Sequence, residues 1–141
     1  MLSKDMRDRL DAIRAAMDSA GATIASDPDA AIAAKDIYRV WSPGVYVVGD
    51  VRKHGDNLFM CCQAHDSTAN EDWSPDAVPA LWFSYHGTTQ ATALPWVKPS
   101  GAHDMYNAGE YMIYTDGIVY LCLSDTAYSP DEYAGAWEAV H

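Results

Sequence analysis

The sequence predicts a mainly β protein with an N-terminal α-helical segment, its β part being two tandem modules of about 45 residues behind a coiled-coil-like helix. Three observations predict this. All sixteen aromatic residues (five Trp, nine Tyr, two Phe) lie from Tyr38 onward, whereas residues 1–37 hold ten alanines and no aromatic. Residues 3–25 carry an apolar stripe at helical spacing. The remainder contains one ordered set of aromatic, Gly and Cys positions twice. The expected organisation is a helical, oligomerising segment at 1–37, a first β-module at 38–85, a linker at 86–95 and a second module at 96–141.

In the first segment, Ser3 is an N-cap residue lacking the N3 acid of a full capping box, and Asp5 complements the helix dipole. Met6, Leu10, Ile13, Met17, Ala20 and Ile24 alternate spacings of four and three, the a/d pattern of a heptad, while Lys4, Asp8, Arg9, Asp11, Arg14 and Asp18 occupy the other faces. Such a stripe must be buried. It can pack on the chain's own β-domain or on a second copy; a stripe this narrow favours a short coiled coil, a trimer or dimer built on Met6, Leu10, Ile13, Met17 and Ile24. The turn Ser26-Asp27-Pro28-Asp29 ends it, and Ser26 or Asp27 caps a second short helix reaching about Ile37.

The first copy of the repeated set is Trp41, Tyr46, Gly49-Asp50, Gly55, Phe59, Cys61, Ser74-Pro75-Asp76 and Trp82. The second is Trp96, Tyr106, Gly109-Glu110, Gly117, Tyr120, Cys122, Ser129-Pro130-Asp131 and Trp137. Tyr to Gly is three residues in both, aromatic to Cys two, and Pro to the last Trp seven. The Gly-acid pair makes a tight turn, the next Gly serves a hairpin, and the following strand alternates so that its aromatic and Cys share a face. The last Trp is expected to close over the sheet. Units this small depend on a few aromatics for most of their burial.

These residues carry a resemblance. The order Trp, Tyr-x-x-Gly-Asp, Gly-x-x-aromatic-x-Cys, then Gln63-Ala64-His65 and Leu81-Trp82, resembles carbohydrate-binding modules of families 5 and 12, the chitin-binding type 3 fold of bacterial chitinases. It covers residues 41–85 well and 96–141 more loosely. The tandem form behind a helix is similar to small proteins encoded among the tail genes of bacteriophages that infect gut bacteria. The resemblance implies two small β-sandwiches that bind polysaccharide through exposed rings. Chitin-binding members typically carry an adjacent aromatic pair after the last strand; here Ala64-His65 and Ser124-Asp125 stand there, and the Trp96-to-Tyr106 interval is longer, with Gly101, His103 and Asp104. The fold can thus be kept with its ligand preference changed.

Aromatics at matched positions (Trp41, Phe59, Trp82, Trp96, Tyr120, Trp137) are assigned mainly to core, which leaves unmatched rings for a ligand. Trp73 beside Glu71 and Asp72 is a sugar platform or a loop-packing residue; Tyr85, Tyr111, Tyr114, Tyr128 and Tyr133 are further candidates, and Tyr46 and Tyr106 can serve either purpose. The expected carbohydrate-binding set is Trp73, Tyr46, Tyr85, Tyr106, Tyr128 and Asp72.

Charge narrows the partners. Nine basic residues against twenty acidic give −11, of which residues 38–141 carry −9, so nucleic acid and anionic membrane are disfavoured. No apolar stretch approaches the roughly 20 residues of a membrane span, and no secretory signal pattern opens the chain. Cys61, Cys62 and Cys122 are expected as thiols, with no metal site and no cofactor. No nucleophile elbow, phosphate loop or His-Glu-x-x-His motif is present, and His65 is expected to hydrogen-bond backbone. The expectation is a non-catalytic virion protein, made in the host cytoplasm, that binds polysaccharide or cell-surface glycan beside other virion proteins. The alternative is an adaptor that keeps the fold for protein docking.

Overall fold

The computed structural model describes residues 3–140, so the first two residues and His141 of the expected segments lie outside the described residues. It is a mixed helix and sheet structure with one long N-terminal helix and several small sheets. Helix α1 runs Lys4–Ile24, and Ser3 Oγ accepts the Met6 amide at 3.1 Å. Helix α2 runs Pro28–Ala33; its N-cap Asp27 accepts from the Ala30 amide, and Pro28 stands in the first turn, where its missing N–H costs nothing. A 3-10 turn, Lys35–Ile37, follows. Among the described residues no helix is long and apolar enough to cross a membrane.

Strands β2 (Val51–His54), β3 (Asn57–Cys61) and β5 (Trp82–Ser84) form an antiparallel sheet in which Val51 pairs with Met60 and Cys61 with Trp82. Alternation along β3 sends Leu58 to one face and Phe59 and Cys61 to the other. The first face meets α2: Ala31, Ile32, Tyr38, Val51, Leu58, Tyr85 and Leu94 form one core. The second face packs Phe59, Cys61 and Trp82 against Tyr46. Burying a side chain of Phe size contributes about 1.5–3 kcal/mol, so these few rings hold much of the unit together. The two-stranded sheet β1 (Val45–Tyr46) with β4 (His65–Asp66) sets Tyr46 opposite His65.

A four-stranded sheet takes the order β6 (Leu94–Pro95), β7 (Tyr111–Ile113), β8 (Val119–Cys122) and β9 (Trp137–Val140), with β6 parallel to β7 and the other pairs antiparallel. Its core is Tyr106, Met112, Cys122, Ala136 and Trp137. The closing Trp of each aromatic set lies within a strand, Trp82 opposite Cys61 and Trp137 opposite Cys122, and does not cap the sheet from above.

Hydrogen bonds recur at the repeated positions. The Gly49 amide donates to Cys61 O at 3.0 Å and the Cys61 amide to Asp50 O at 2.7 Å; Gly109, Cys122 and Glu110 do the same at 2.9 and 2.8 Å. Asp50 and Glu110 each fold back onto an amide three residues earlier, Val47 and Asn107. Gly49 and Gly109 have φ of +99° and +94°, which a side chain would strain. The Trp41 amide donates to Lys53 O at 2.7 Å and the Trp96 amide to Ile113 O at 2.8 Å.

Two expected boundaries shift. Residues 28–38 pack into the first core and α1 is bonded to them from Arg14 onward, so the free part of the helical segment ends near Ile13. Residues 86–95, expected as a linker, are packed against both halves. Leu94 enters the first core, Thr89 and Thr92 form a reciprocal capping box, and the Tyr111 amide donates to Gly87 O at 2.9 Å. Asp29 of α2 accepts from the Thr88 amide at 2.7 Å, from the Thr92 hydroxyl at 2.7 Å and from the Thr88 hydroxyl.

The stripe on α1 divides. Met6, Leu10 and Ile13 are exposed, Met17 is half-buried, and Ile24 packs against the first core, so Ile24 faces its own chain instead of a second copy. The cause is the close approach at Gly21, whose carbonyl accepts the Tyr38 hydroxyl at 2.8 Å. Arg14 bonds Ile37 O at 2.7 Å, and Asp18 pairs with Arg14 and Arg39, two cations that hold its carboxyl below the usual range.

Candidate functional site

Three of the expected binding tyrosines are core residues. Tyr46 is 5% exposed, its hydroxyl donating to Ser42 O at 2.5 Å and its ring 4.9 Å from Trp82 at 71°. Tyr85 is 4% exposed and donates to Ala25 O. Tyr106 is 1% exposed; its ring lies between His86 (3.7 Å, 8°) and Trp96 (5.1 Å, 13°), and its hydroxyl accepts the Val97 amide. Burial raises the Tyr85 and Tyr106 phenols well above their ordinary value. Each ring therefore fills a unit too small to spare it, with its one polar atom paired inside.

The remaining three lie nearer the surface. Trp73 is half-buried in the 67–80 loop, Asp72 beside it is exposed, and Tyr128 is 56% exposed while its carbonyl accepts Trp137 Nε1. Among the described residues no aromatic pair joins Trp73 or Tyr128 to another ring. The expected set is not gathered on one face.

A different group is gathered. Trp96, Tyr114 and Tyr120 are half-buried, with centroid separations of 6.0 Å for Trp96 to Tyr114 and 6.0 Å for Tyr114 to Tyr120, at 75° and 90°. The Tyr114 hydroxyl donates to Asp131 Oδ2 and the Tyr120 hydroxyl to Asp116 Oδ2, both at 2.9 Å. That bond to Asp116 is the leading reason the Tyr120 phenol is raised above its ordinary value. Beside Trp96 opens a groove of about 370 Å³ lined also by His54, Asn57, Asp76 and Lys98. Of the three rings only Trp96 lines that groove, where it stands near the Asp76 carboxylate. Trp96 and Tyr120, assigned by repeat position mainly to the core, pack with Tyr114 against the second core. The Asp of each Ser-Pro-Asp turn meets a residue at a strand end, Asp76 with His54 and Asp131 with Tyr114.

Elsewhere polar chemistry is closed inward. His86 Nδ1 lies 3.0 Å from Glu110 Oε1 and its Nε2 3.0 Å from the Ser84 hydroxyl. Ser84 and His86 are buried, and this chain of groups ties β5 to the turn before β7. The three cysteines are free thiols. Burial raises the Cys61 thiol and pushes Cys122 up to about 11, so both stay protonated at neutral pH. His65 Nδ1 lies 2.8 Å from Gln63 O. Among the described residues no group of three or more His, Cys, Asp or Glu is placed to hold a metal ion.

Comparison with known proteins bears on the first half. Residues 40–83 match the model of carbohydrate-binding module family 5/12, a span from the residue before Trp41 to β5. No curated protein matches the chain. The family match supports a carbohydrate-binding module there.

Proposed function

We propose that the protein is a non-catalytic, carbohydrate-binding component of a virion, a self-associating helix carrying two tandem modules that attach to host-surface or environmental glycans. The observation that carries the sugar-binding part is the family match over residues 40–83. The recurring hydrogen bonds at Gly109, Glu110 and Cys122 support reading the second half as another copy. Exposed Met6, Leu10 and Ile13 support a trimer or dimer with other virion proteins as neighbours. The resemblance of the tandem form to phage tail-gene products supports the virion. Several weak sites on one oligomer raise avidity without any new contact.

Electrophoresis of the intact protein through gels containing chitin derivatives, cellulose derivatives, peptidoglycan fragments or teichoic acids tests the binding. Retardation by at least one neutral polysaccharide is expected; equal migration in every gel refutes it. A second reading, an adaptor that docks a protein, is favoured by the burial of Tyr46, Tyr85 and Tyr106. It predicts no retardation and stable capture by a purified virion protein.

A further inference from the structure

One face of the first sheet is covered unevenly. Strand alternation puts Leu58 and Met60 of β3 on the same face, and Phe83 of β5 stands opposite Met60 in the register. The core around α2 buries Leu58 and Tyr85 at 0% and 4% exposure, whereas Met60 and Phe83, packed at its margin, are only half-buried. Against them lies a cavity of about 370 Å³, inside the roughly 300–1,000 Å³ of pockets that take small molecules. Its other apolar walls come from two more parts of the chain, Ala25 and Pro28 at the α1–α2 turn and half-buried Met105 of the second half.

The polar groups of the lining are bonded to one another. Ser84, His86, Glu110 and Asn107 form a chain in which Glu110 Oε1 accepts the Asn107 amide at 2.7 Å and lies 3.0 Å from His86 Nδ1. Among the described residues Oε2 of Glu110 takes no hydrogen bond, although the side chain is only 18% exposed. The other carboxylate of the lining, Asp104, is committed: its oxygens accept the Ser100 and Gly101 amides and the Ser100 hydroxyl. Among the described residues no Lys or Arg lines the cavity. A largely buried carboxylate with one oxygen uncommitted attracts a cation more strongly than an exposed one, because less water screens it.

We propose that this cavity is a binding site for a small arylalkyl ammonium, its ring among Met60, Phe83 and Met105 and its ammonium on Glu110 Oε2. Two thioethers and a phenyl ring favour an aromatic body over an aliphatic one, since sulfur and ring edges pack well against a second ring. The uncommitted oxygen selects a cation over a neutral or anionic ligand of the same shape. The site goes beyond the sugar-binding reading and does not depend on it: Ser84, His86, Asn107 and Glu110 all lie outside residues 40–83. Because the walls come from three segments, an occupant also holds the α1–α2 turn, the first sheet and the second half together, which raises the temperature of unfolding by mass action.

The test is an NMR titration of the full chain, isotope-labelled at its methionine methyls, with phenethylammonium, phenethyl alcohol and hydrocinnamate, three molecules of similar shape and different charge. The Met60 and Met105 methyls should shift with phenethylammonium while those of Met6, Met17 and Met112, which do not line the cavity, stay in place. A dissociation constant on the order of 1 mM is expected, as suits a ligand of about nine non-hydrogen atoms. The alcohol should bind about tenfold more weakly and hydrocinnamate should not bind. Glu110→Gln should weaken the ammonium about tenfold and leave the alcohol within about twofold. Asp56→Asn, which removes the same charge from an exposed turn, should change neither. Should Glu110→Gln fail to fold, as judged by circular dichroism, the order of the three ligands on the parent decides. Unmoved Met60 and Met105 methyls, equal binding of ammonium and alcohol, or shifts spread over all the methionines overturn the site. A capped lysine amide that binds more tightly than phenethylammonium overturns the aromatic body. None of these outcomes bears on retention by polysaccharide, which is measured separately.

Discussion

At the scale of single residues, the decisive fact is where each polar atom finds its partner. Tyr46, Tyr85 and Tyr106 carry the same side chain as exposed Tyr128, and the sequence distinguishes them only through partners 4, 60 and 9 residues away at Ser42, Ala25 and Val97. A hydroxyl paired with backbone inside the fold is cheap to bury, so composition alone cannot sort rings into core and surface. Asp29 is the clearest case of a residue whose role is tertiary. Burial alone would raise its carboxyl, but hydrogen bonds from Thr88 and Thr92 outweigh that and hold it below its ordinary value. A carboxyl lowered in the folded chain adds stability that is present above its unfolded value and lost as pH falls through the folded one. Asp29→Ala should therefore cost about 1–3 kcal/mol in urea unfolding at neutral pH, and the difference from the parent should shrink as pH falls below the ordinary carboxylate range. A pH-independent difference would mean that the hydrogen-bonded charge contributes nothing.

At the scale of elements, those with a period or a turn signal were legible. The a/d spacing from Met6 to Ile24 and the Ser3 cap predict α1, and the Gly-acid turns and alternating runs ending in Cys61 and Cys122 predict β3 and β8. Strands β1, β4 and β6 have two residues each, too short for any period, and exist because their partners hold them. The 86–95 stretch reads as a linker because it is polar, yet its polar groups are the ones that tie α2 and both halves together. The docking of α1 depends on one absent atom. A Cβ on Gly21 would stand 2.7 Å from Cε1 of Tyr38, so Gly21→Ala must push the helix or the ring aside. On an exposed helix this substitution gains about 1 kcal/mol from propensity. Here overpacking outweighs the gain, and thermal unfolding should show a net loss of about 1–2 kcal/mol. A stabilised variant would contradict the observed approach of α1 to Tyr38.

At the scale of the whole molecule, the chain is a long helix on two β-halves that meet through the His86–Glu110 and Tyr111–Gly87 hydrogen bonds. The matched backbone bonds at Gly49 and Gly109 and at Cys61 and Cys122 were legible, because the glycines have the positive φ that their turns require. The packing of one half on the other was not, since Val97 joins the cluster of Tyr46, Phe59, Cys61 and Trp82 only in the folded chain. Leu10→Asp with Ile13→Asp puts charge on the exposed stripe while touching no core residue. In sedimentation velocity the parent is expected as a trimer or dimer and this variant as a folded monomer, with retention on polysaccharide weakened about a hundredfold. A monomeric parent would remove both the coiled coil and the avidity. The central claim, sugar recognition through rings and hydrogen bonds, is tested most directly by one depletion isotherm of the intact protein on mixed insoluble chitin and cellulose, taken at about 0.15 M and about 1 M salt. The account predicts saturable binding that changes little between the two, because stacking on a neutral sugar is not screened. No depletion at either salt, or binding that disappears at the higher one, would contradict it.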